Sequence, residues 1–278
     1  MPAEPPPAGF RADLVAADLD GTLLDSAHRI TPGIPEALAE LRAAGVETVV
    51  CTGRMFRSAR LVAARLGVRE GPIVCYQGAM VAELESGREL RHVRMDGDLA
   101  AEVVRHVGHL GLHLNAYIDD RLYVEHVNEW ARRYAEHVEV SIHAVPDLAA
   151  EVAARPPTKL VLVAAAGDVE RLAPELHARW DGRVYVTRSQ AEYLEFADVS
   201  VRKSVALEWL CAGLGLHRER VVALGDGMND VEMLRWAGLG VAVAEATAPV
   251  RAAADLVVPR AGLTAFLEAL ALQGRAGA

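Results

Sequence analysis

Five short apolar runs punctuate the chain, each followed by a polar turn and then by a stretch with helical spacing. They are Leu14 to Ala17, Val46 to Cys51, Pro72 to Tyr76, Val221 to Leu224 and Leu239 to Val243. Their hydrophobicity is near-continuous rather than alternating. A strand of that kind is buried on both faces, the condition of strands in a parallel sheet. Helices fit between the runs. Ile34 to Ala44 has Thr31 as N-cap, Pro32 at the first position and Gly45 as its stop. Ser58 to Leu66 ends at Gly67, and Ser204 to Leu214 and Asn229 to Ala237 are two more. Strand–helix alternation of this kind predicts a doubly wound α/β domain.

The middle of the chain reads differently. Leu112 to Ile118 and Leu122 to Val127 are partly alternating and flank Asp119-Asp120-Arg121, a hairpin-like turn. Helical stretches follow at Glu129 to His137 and Leu148 to Ala154, then a strand from Lys159 to Ala165 and a helix from Asp168 to Trp180. Hairpins mixed with helices predict an α+β module with an antiparallel sheet. The buried-strand pattern resumes only after it, so the second domain is inserted into the first. The predicted organisation is a disordered leader over 1–12, an α/β core from 13–84 and 191–278, and an inserted α+β cap over 85–190.

Composition narrows the function. Of 278 residues, 52% are hydrophobic but only 5% aromatic, so the core is built from Ala, Val and Leu. A net charge of −9 and a pI near 5.6, with no basic block, argue against a nucleic-acid partner, which needs a cationic face for phosphates. Cys51, Cys75 and Cys211 form no CxxC pair and no zinc spacing; they read as small buried hydrophobes in a reducing compartment. No apolar run approaches the ~20 residues of a membrane span. The Pro-rich N-terminus lacks the layout of a signal peptide. A cytoplasmic protein, monomer or homodimer, acting on a small molecule rather than on nucleic acid or membrane, is the expectation.

In open parallel sheets ligands bind at the carboxyl ends of the strands. Three apolar runs end there in chemistry-bearing residues: Asp18-Leu19-Asp20-Gly21-Thr22, Thr52-Gly53-Arg54 and Gly225-Asp226-Gly227-Met228-Asn229-Asp230. One Asp-x-Asp alone reads best as a solvated turn or a helix cap. Two acidic clusters at strand ends raise one another's pKa unless a cation sits between them, and oxygen-only ligands favour Mg²⁺. An EF-hand loop fails because Thr22 and Arg29 stand where acidic ligands belong. Gly225-Asp226-Gly227 is no dinucleotide fingerprint, since Asp230 replaces the third glycine, and the chain has no P-loop.

These segments resemble, in order, the four motifs of the haloacid dehalogenase-like superfamily: Asp18 to Leu24, Thr52-Gly53-Arg54, Lys203 within Val201 to Leu207, and Gly225 to Asp230. The large insertion between the second and third resembles the Cof-type subgroup with a class IIB cap, whose members are mostly Mg²⁺-dependent phosphatases of small phosphorylated metabolites. The resemblance implies Asp18 as nucleophile, forming an aspartyl-phosphate. It implies Asp20 as general acid and then general base, with its backbone carbonyl on the metal beside Asp18 and Asp226. Asp230 would hold a metal-bound water or orient Asp226. Thr52, Lys203 and Asn229 would bind the phosphoryl group, and Gly21 and Gly53 would let backbone N–H groups approach it. The cap would close over the site, exclude water and supply substrate contacts.

The acid at Asp20, which the family's dehalogenases and phosphonatases lack, favours phosphate-ester hydrolysis. A phosphomutase on the same core and a catalytically silent metabolite-binding regulator are the alternatives. The chain departs from the family pattern in three places. Gln77-Gly78 stands for Asn-Gly, Ser204 for the Gly after the lysine, where its hydroxyl would cap the following helix, and Ala244-Glu245-Ala246 for Gly-Asn-Ala. His109 and His113, four apart, read as cap surface rather than metal ligands. Asp119-Asp120 reads as a turn, and Trp130, Tyr134 and Trp180 as cap core.

Overall fold

A computed structural model describes residues 5–275. The chain divides into two compact units. One holds the chain up to Gly53, Ala59–Leu90 and the chain from Arg202 onward; the other holds Arg54–Ser58 and Arg91–Val201. The elements before the insertion are β1 (Leu14–Ala17), α1 (Ile34–Ala43), β2 (Glu47–Cys51), α2 (Phe56–Arg65), β3 (Pro72–Cys75), β4 (Met80–Glu83) and β5 (Glu89–His92). The inserted segment carries α3 (Gly97–His109), β6 (His113–Ile118), β7 (Arg121–Val124), α4 (Glu129–Val138), β8 (Ile142–Ala144), α5 (Leu148–Ala154), β9 (Lys159–Val163), α6 (Ala166–Arg179), β10 (Val184–Gln190) and β11 (Tyr193–Asp198). The chain then continues with α7 (Lys203–Leu214), β12 (Val221–Gly225), α8 (Val231–Trp236), β13 (Leu239–Val243), α9 (Ala248–Arg251), β14 (Leu256–Val258) and α10 (Leu263–Arg275).

The first unit is built on an eight-stranded sheet of order β14-β13-β12-β1-β2-β3-β4-β5. From β14 to β3 every pairing is parallel; β4 turns back antiparallel on β3. β1, β12 and β13 are buried at every position, as the continuous apolar runs require of strands covered on both faces. Strand order runs outward from β1 in both directions. The switch point therefore lies at β1, where the crevice of a doubly wound sheet opens beyond the strands' carboxyl ends.

The second unit has a six-stranded sheet of order β10-β11-β9-β6-β7-β8, antiparallel except between β7 and β8. Alternation sorts its residues. Leu114, Ala116, Leu160, Leu162, Leu194 and Phe196 join α3, α5 and α6 in one apolar core that encloses Trp180. The intervening positions carry Tyr117, Lys159 and Glu195, with Tyr134 of α4 bonded to the Tyr117 hydroxyl. The Lys159 ammonium donates to Glu195 at 3.0 Å, both side chains nearly inaccessible. At the β6–β7 turn Asp119 and Asp120 both adopt positive φ, and the Asp120 carboxylate accepts the N–H groups of Phe56 and Arg57, each at 3.0 Å.

Several boundaries differ from the sequence reading. The inserted unit runs over 91–201 rather than 85–190, because β5 belongs to the first sheet and β11 to the second. Within the leader expected over 1–12, Pro6 and Ala12 are buried and Phe10 N–H bonds the Pro7 carbonyl; residues 1–4 lie outside the described residues. α1 is capped by Gly33 rather than Thr31, since Pro35 sets its first turn. His109 ends α3 and His113 opens β6, so they share no helix face. Among the described residues no helix is long and apolar enough to cross a membrane.

Candidate active site

Asp18 follows β1, Thr52 follows β2 and Asp226 follows β12, so three neighbouring strands deliver their terminal residues to one edge of the sheet. Asp18 and Thr52 are buried. Lys203, the first residue of α7, reaches the same place. Its Nζ donates to Asp18 Oδ1 at 2.5 Å and to Asp230 Oδ1 at 2.6 Å, with only 1% of its side chain exposed. Ser204 lies inside the helix and does not cap it; the N-cap is Arg202, in extended conformation.

Asp18, Asp226 and Asp230 can each direct one carboxylate oxygen so that all three lie within 4.8 Å of one another. The Asp20 side chain is not in that group. Both oxygens of Asp230 are engaged, Oδ1 by Lys203 and Oδ2 by the N–H groups of Asp226 (3.1 Å) and Gly227 (2.9 Å). Asp230 thus fixes the Gly225–Asp230 loop from within. Asp226 Oδ1 accepts the Thr22 hydroxyl at 2.9 Å, which ties the loop after β12 to the loop after β1.

Glycines make these approaches possible. Gly21 has φ +94, and a Cβ there would meet Asp226 Oδ2 at 2.1 Å; only a residue without a side chain fits both conditions. A Cβ on Gly53 would meet the Gln77 amide at 2.3 Å.

Crowding of acids sets the electrostatics. Burial pushes the Asp18 carboxyl well above its ordinary range; Lys203 pulls it down, and Asp230, Asp226 and Asp20 push it further up. Burial, then Asp230, raise Asp226 to about 6. For Lys203, burial disfavours the charge, but Asp18 and Asp230 outweigh it and the ammonium is held above its ordinary value. One buried cation against several carboxylates leaves the cluster short of positive charge. Hard oxygen donors gathered there, with the ionisation of Asp18 and Asp226 suppressed, fit a small divalent cation.

Arg260 and His28 escaped the sequence reading, and Gln77 and Glu245, read there only as departures from the family pattern, gain their contacts in the structure. Gln77, with φ 58, accepts the Asn229 amide at 2.9 Å, so Asn229 is anchored toward the turn after β3. Arg260 donates to the Gly21 carbonyl through Nε and Nη2, at 3.0 and 2.6 Å. Glu245, the departure near β13, accepts the Arg260 backbone N–H and so steadies that arginine. His28 Nδ1 lies 3.0 Å from Asp20 Oδ1. These rest on positive φ or on contacts between distant segments, which local pattern does not carry.

A profile of haloacid dehalogenase-like hydrolases matches residues 15–270. The chain belongs to this family. It is therefore an enzyme of the hydrolase type, and its sheet order and flanking helices are those of the family fold. A crystal structure from Thermotoga maritima is 31% identical, with a TM-score of 0.82 over 92% of this chain and 97% of that one. The HMP-PP phosphatase of Serratia proteamaculans is 28% identical over 84% of either chain. The pyridoxal phosphate phosphatase of Escherichia coli is 26% identical over 88% of this chain and 92% of its own. Family members thus carry phosphatase names along nearly the whole length matched here.

Proposed function

We propose that this protein is a Mg²⁺-dependent phosphatase of small phosphorylated metabolites that works through an aspartyl-phosphate on Asp18. The observation that carries the reading is Asp18 itself, buried at the end of β1, 2.5 Å from the Lys203 ammonium and beside Asp226 and Asp230. Relatives named as phosphatases of HMP-PP and of pyridoxal phosphate support the substrate class.

In this reading an Asp18 oxygen attacks phosphorus and the bond to the leaving oxygen breaks. Asp20 gives its proton to that oxygen. A water then attacks the phosphorus, Asp20 takes its proton, and the bond to Asp18 breaks to release phosphate. Lys203 places a fixed positive charge beside the phosphoryl oxygens. Thr52 and the backbone N–H of Gly53 add donors from the loop after β2, and Asn229 adds its amide. Asp18, Asp226 and the Asp20 carbonyl would hold Mg²⁺, which supplies charge for the transferring phosphoryl group. With both its oxygens engaged, Asp230 suits the role of orienting Asp226 and Lys203.

Asp18→Asn tests the nucleophile. Phosphate release from p-nitrophenyl phosphate in Mg²⁺ should fall by at least about 1,000-fold, and the acyl-phosphate trapped by acid quench of the parent enzyme should vanish. Undiminished turnover in the variant would reject Asp18.

A further inference from the structure

The loop after β1 folds back on itself over residues 18–31. Leu24 bridges both Asp20 and Ile30, and Gly21 N–H bonds the Leu24 carbonyl at 3.0 Å. At its tip the Asp25 carboxylate accepts three donors: Ala27 N–H at 2.8 Å, Arg29 N–H at 3.0 Å and Arg29 Nε at 2.8 Å. Asp25 N–H bonds the Arg29 carbonyl and His28 N–H the Asp25 carbonyl, each at 2.9 Å. So tight a turn forces His28 to φ 56, a conformation in which a side-chain-bearing residue is uncommon. The result is that the imidazole points back along the loop, with Nδ1 3.0 Å from Asp20 Oδ1.

We propose that His28 is a positioning residue for Asp20: it holds one carboxyl oxygen and so fixes the rotation of the group that exchanges the proton. This rests on the acid–base role proposed above for Asp20. The backbone around Asp20 is held independently, by Arg260 on the Gly21 carbonyl and by Thr22 on Asp226. Those contacts locate the main chain of the loop, whereas His28 meets the carboxyl itself. A rotating carboxyl would spend part of its time misaligned with the leaving oxygen, and proton transfer is sensitive to such alignment.

An alternative account makes the left-handed turn the whole reason for position 28. Two substitutions separate the accounts, because Gly and Asn both accept positive φ. His28→Gly keeps the turn and deletes the donor. His28→Asn keeps the turn and places an amide nitrogen, like Nδ1 one bond from Cγ, where the imidazole donor was. The readout is kcat/KM for phenyl phosphate against p-nitrophenyl phosphate. The two esters are close in size, but phenol is the poorer leaving group and needs the proton more.

Removing the donor should lower kcat/KM for phenyl phosphate about tenfold or more, and for p-nitrophenyl phosphate less than about threefold. His28→Asn should return both to within about threefold of the parent. Equal loss on both esters, no loss in the Gly variant, or the same leaving-group bias persisting in the Asn variant would each overturn the proposal. Asp20→Asn, measured alongside, tells the two ideas apart. If it shows the steep leaving-group bias while His28→Gly does not, His28 has no positioning role. If it shows no bias, Asp20 is not the acid and the underlying reading fails.

Discussion

Lys203 concentrates the chemistry of this protein in one side chain. A lysine at the first turn of a helix works against the helix dipole, and burial works against any charge. It is retained because it touches Asp18 and Asp230 at once. Removing one member of such a buried set leaves uncompensated charge. Lys203→Met should therefore lower the unfolding free energy by about 3–5 kcal/mol at neutral pH, measured by urea denaturation. Adding Asp230→Asn to that variant should recover part of the loss. A double variant no more stable than the single one would contradict the pairing.

At the scale of elements, the loop after β1 is held by contacts that no local pattern announces. The strands that deliver Asp18, Thr52 and Asp226 were legible, because a run buried on both faces leaves only apolar residues to read. The links that make those loops a site were not. Arg260 meets Gly21 across 239 positions, and His28 and Gln77 act from positive φ, where propensity rules expect glycine. β11 went unread because Glu195 interrupts its apolar pattern, and only the pairing with Lys159 makes that carboxylate an interior residue. Gly21→Ala tests the loop directly. The methyl would drive into Asp226 and hold a φ that alanine disfavours, at a cost of about 1–3 kcal/mol. Calorimetry with and without Mg²⁺ should find the metal's stabilisation lost in this variant. An unchanged Mg²⁺ effect would separate Gly21 from the metal site.

For the whole molecule, the acidic cluster ties stability to pH and metal together. Burial and Asp230 push the Asp226 carboxyl up from an ordinary 3.8 to about 6, and Asp18 is raised as well. A carboxyl raised by folding binds more protons folded than unfolded, so in the metal-free protein the cluster's own contribution to stability should fall as pH rises from about 4 through about 6. Mg²⁺ binds the ionised form and so should offset that loss. The rise in melting temperature on adding Mg²⁺ should be large at pH 7.5 and small at pH 5. An equal rise at both would place metal binding elsewhere.

The split core also dictates an order of assembly during synthesis. Thr22 and Asp226 meet across 204 positions, and β1 pairs directly with β12. The inserted unit's sheet, by contrast, is drawn from consecutive strands β6 to β11. As the chain leaves the ribosome, that sheet has all its strands before β12 exists. β1 meanwhile has an unfilled ladder edge and two apolar faces for the time needed to translate the insertion, with the closure entropy of the long loop still to be met. Completion of the core, and with it the bond between Asp18 and Lys203, is thus a late and long-range event. The nascent chain thus presents β1 before the insertion and supplies its partner β12 only after it.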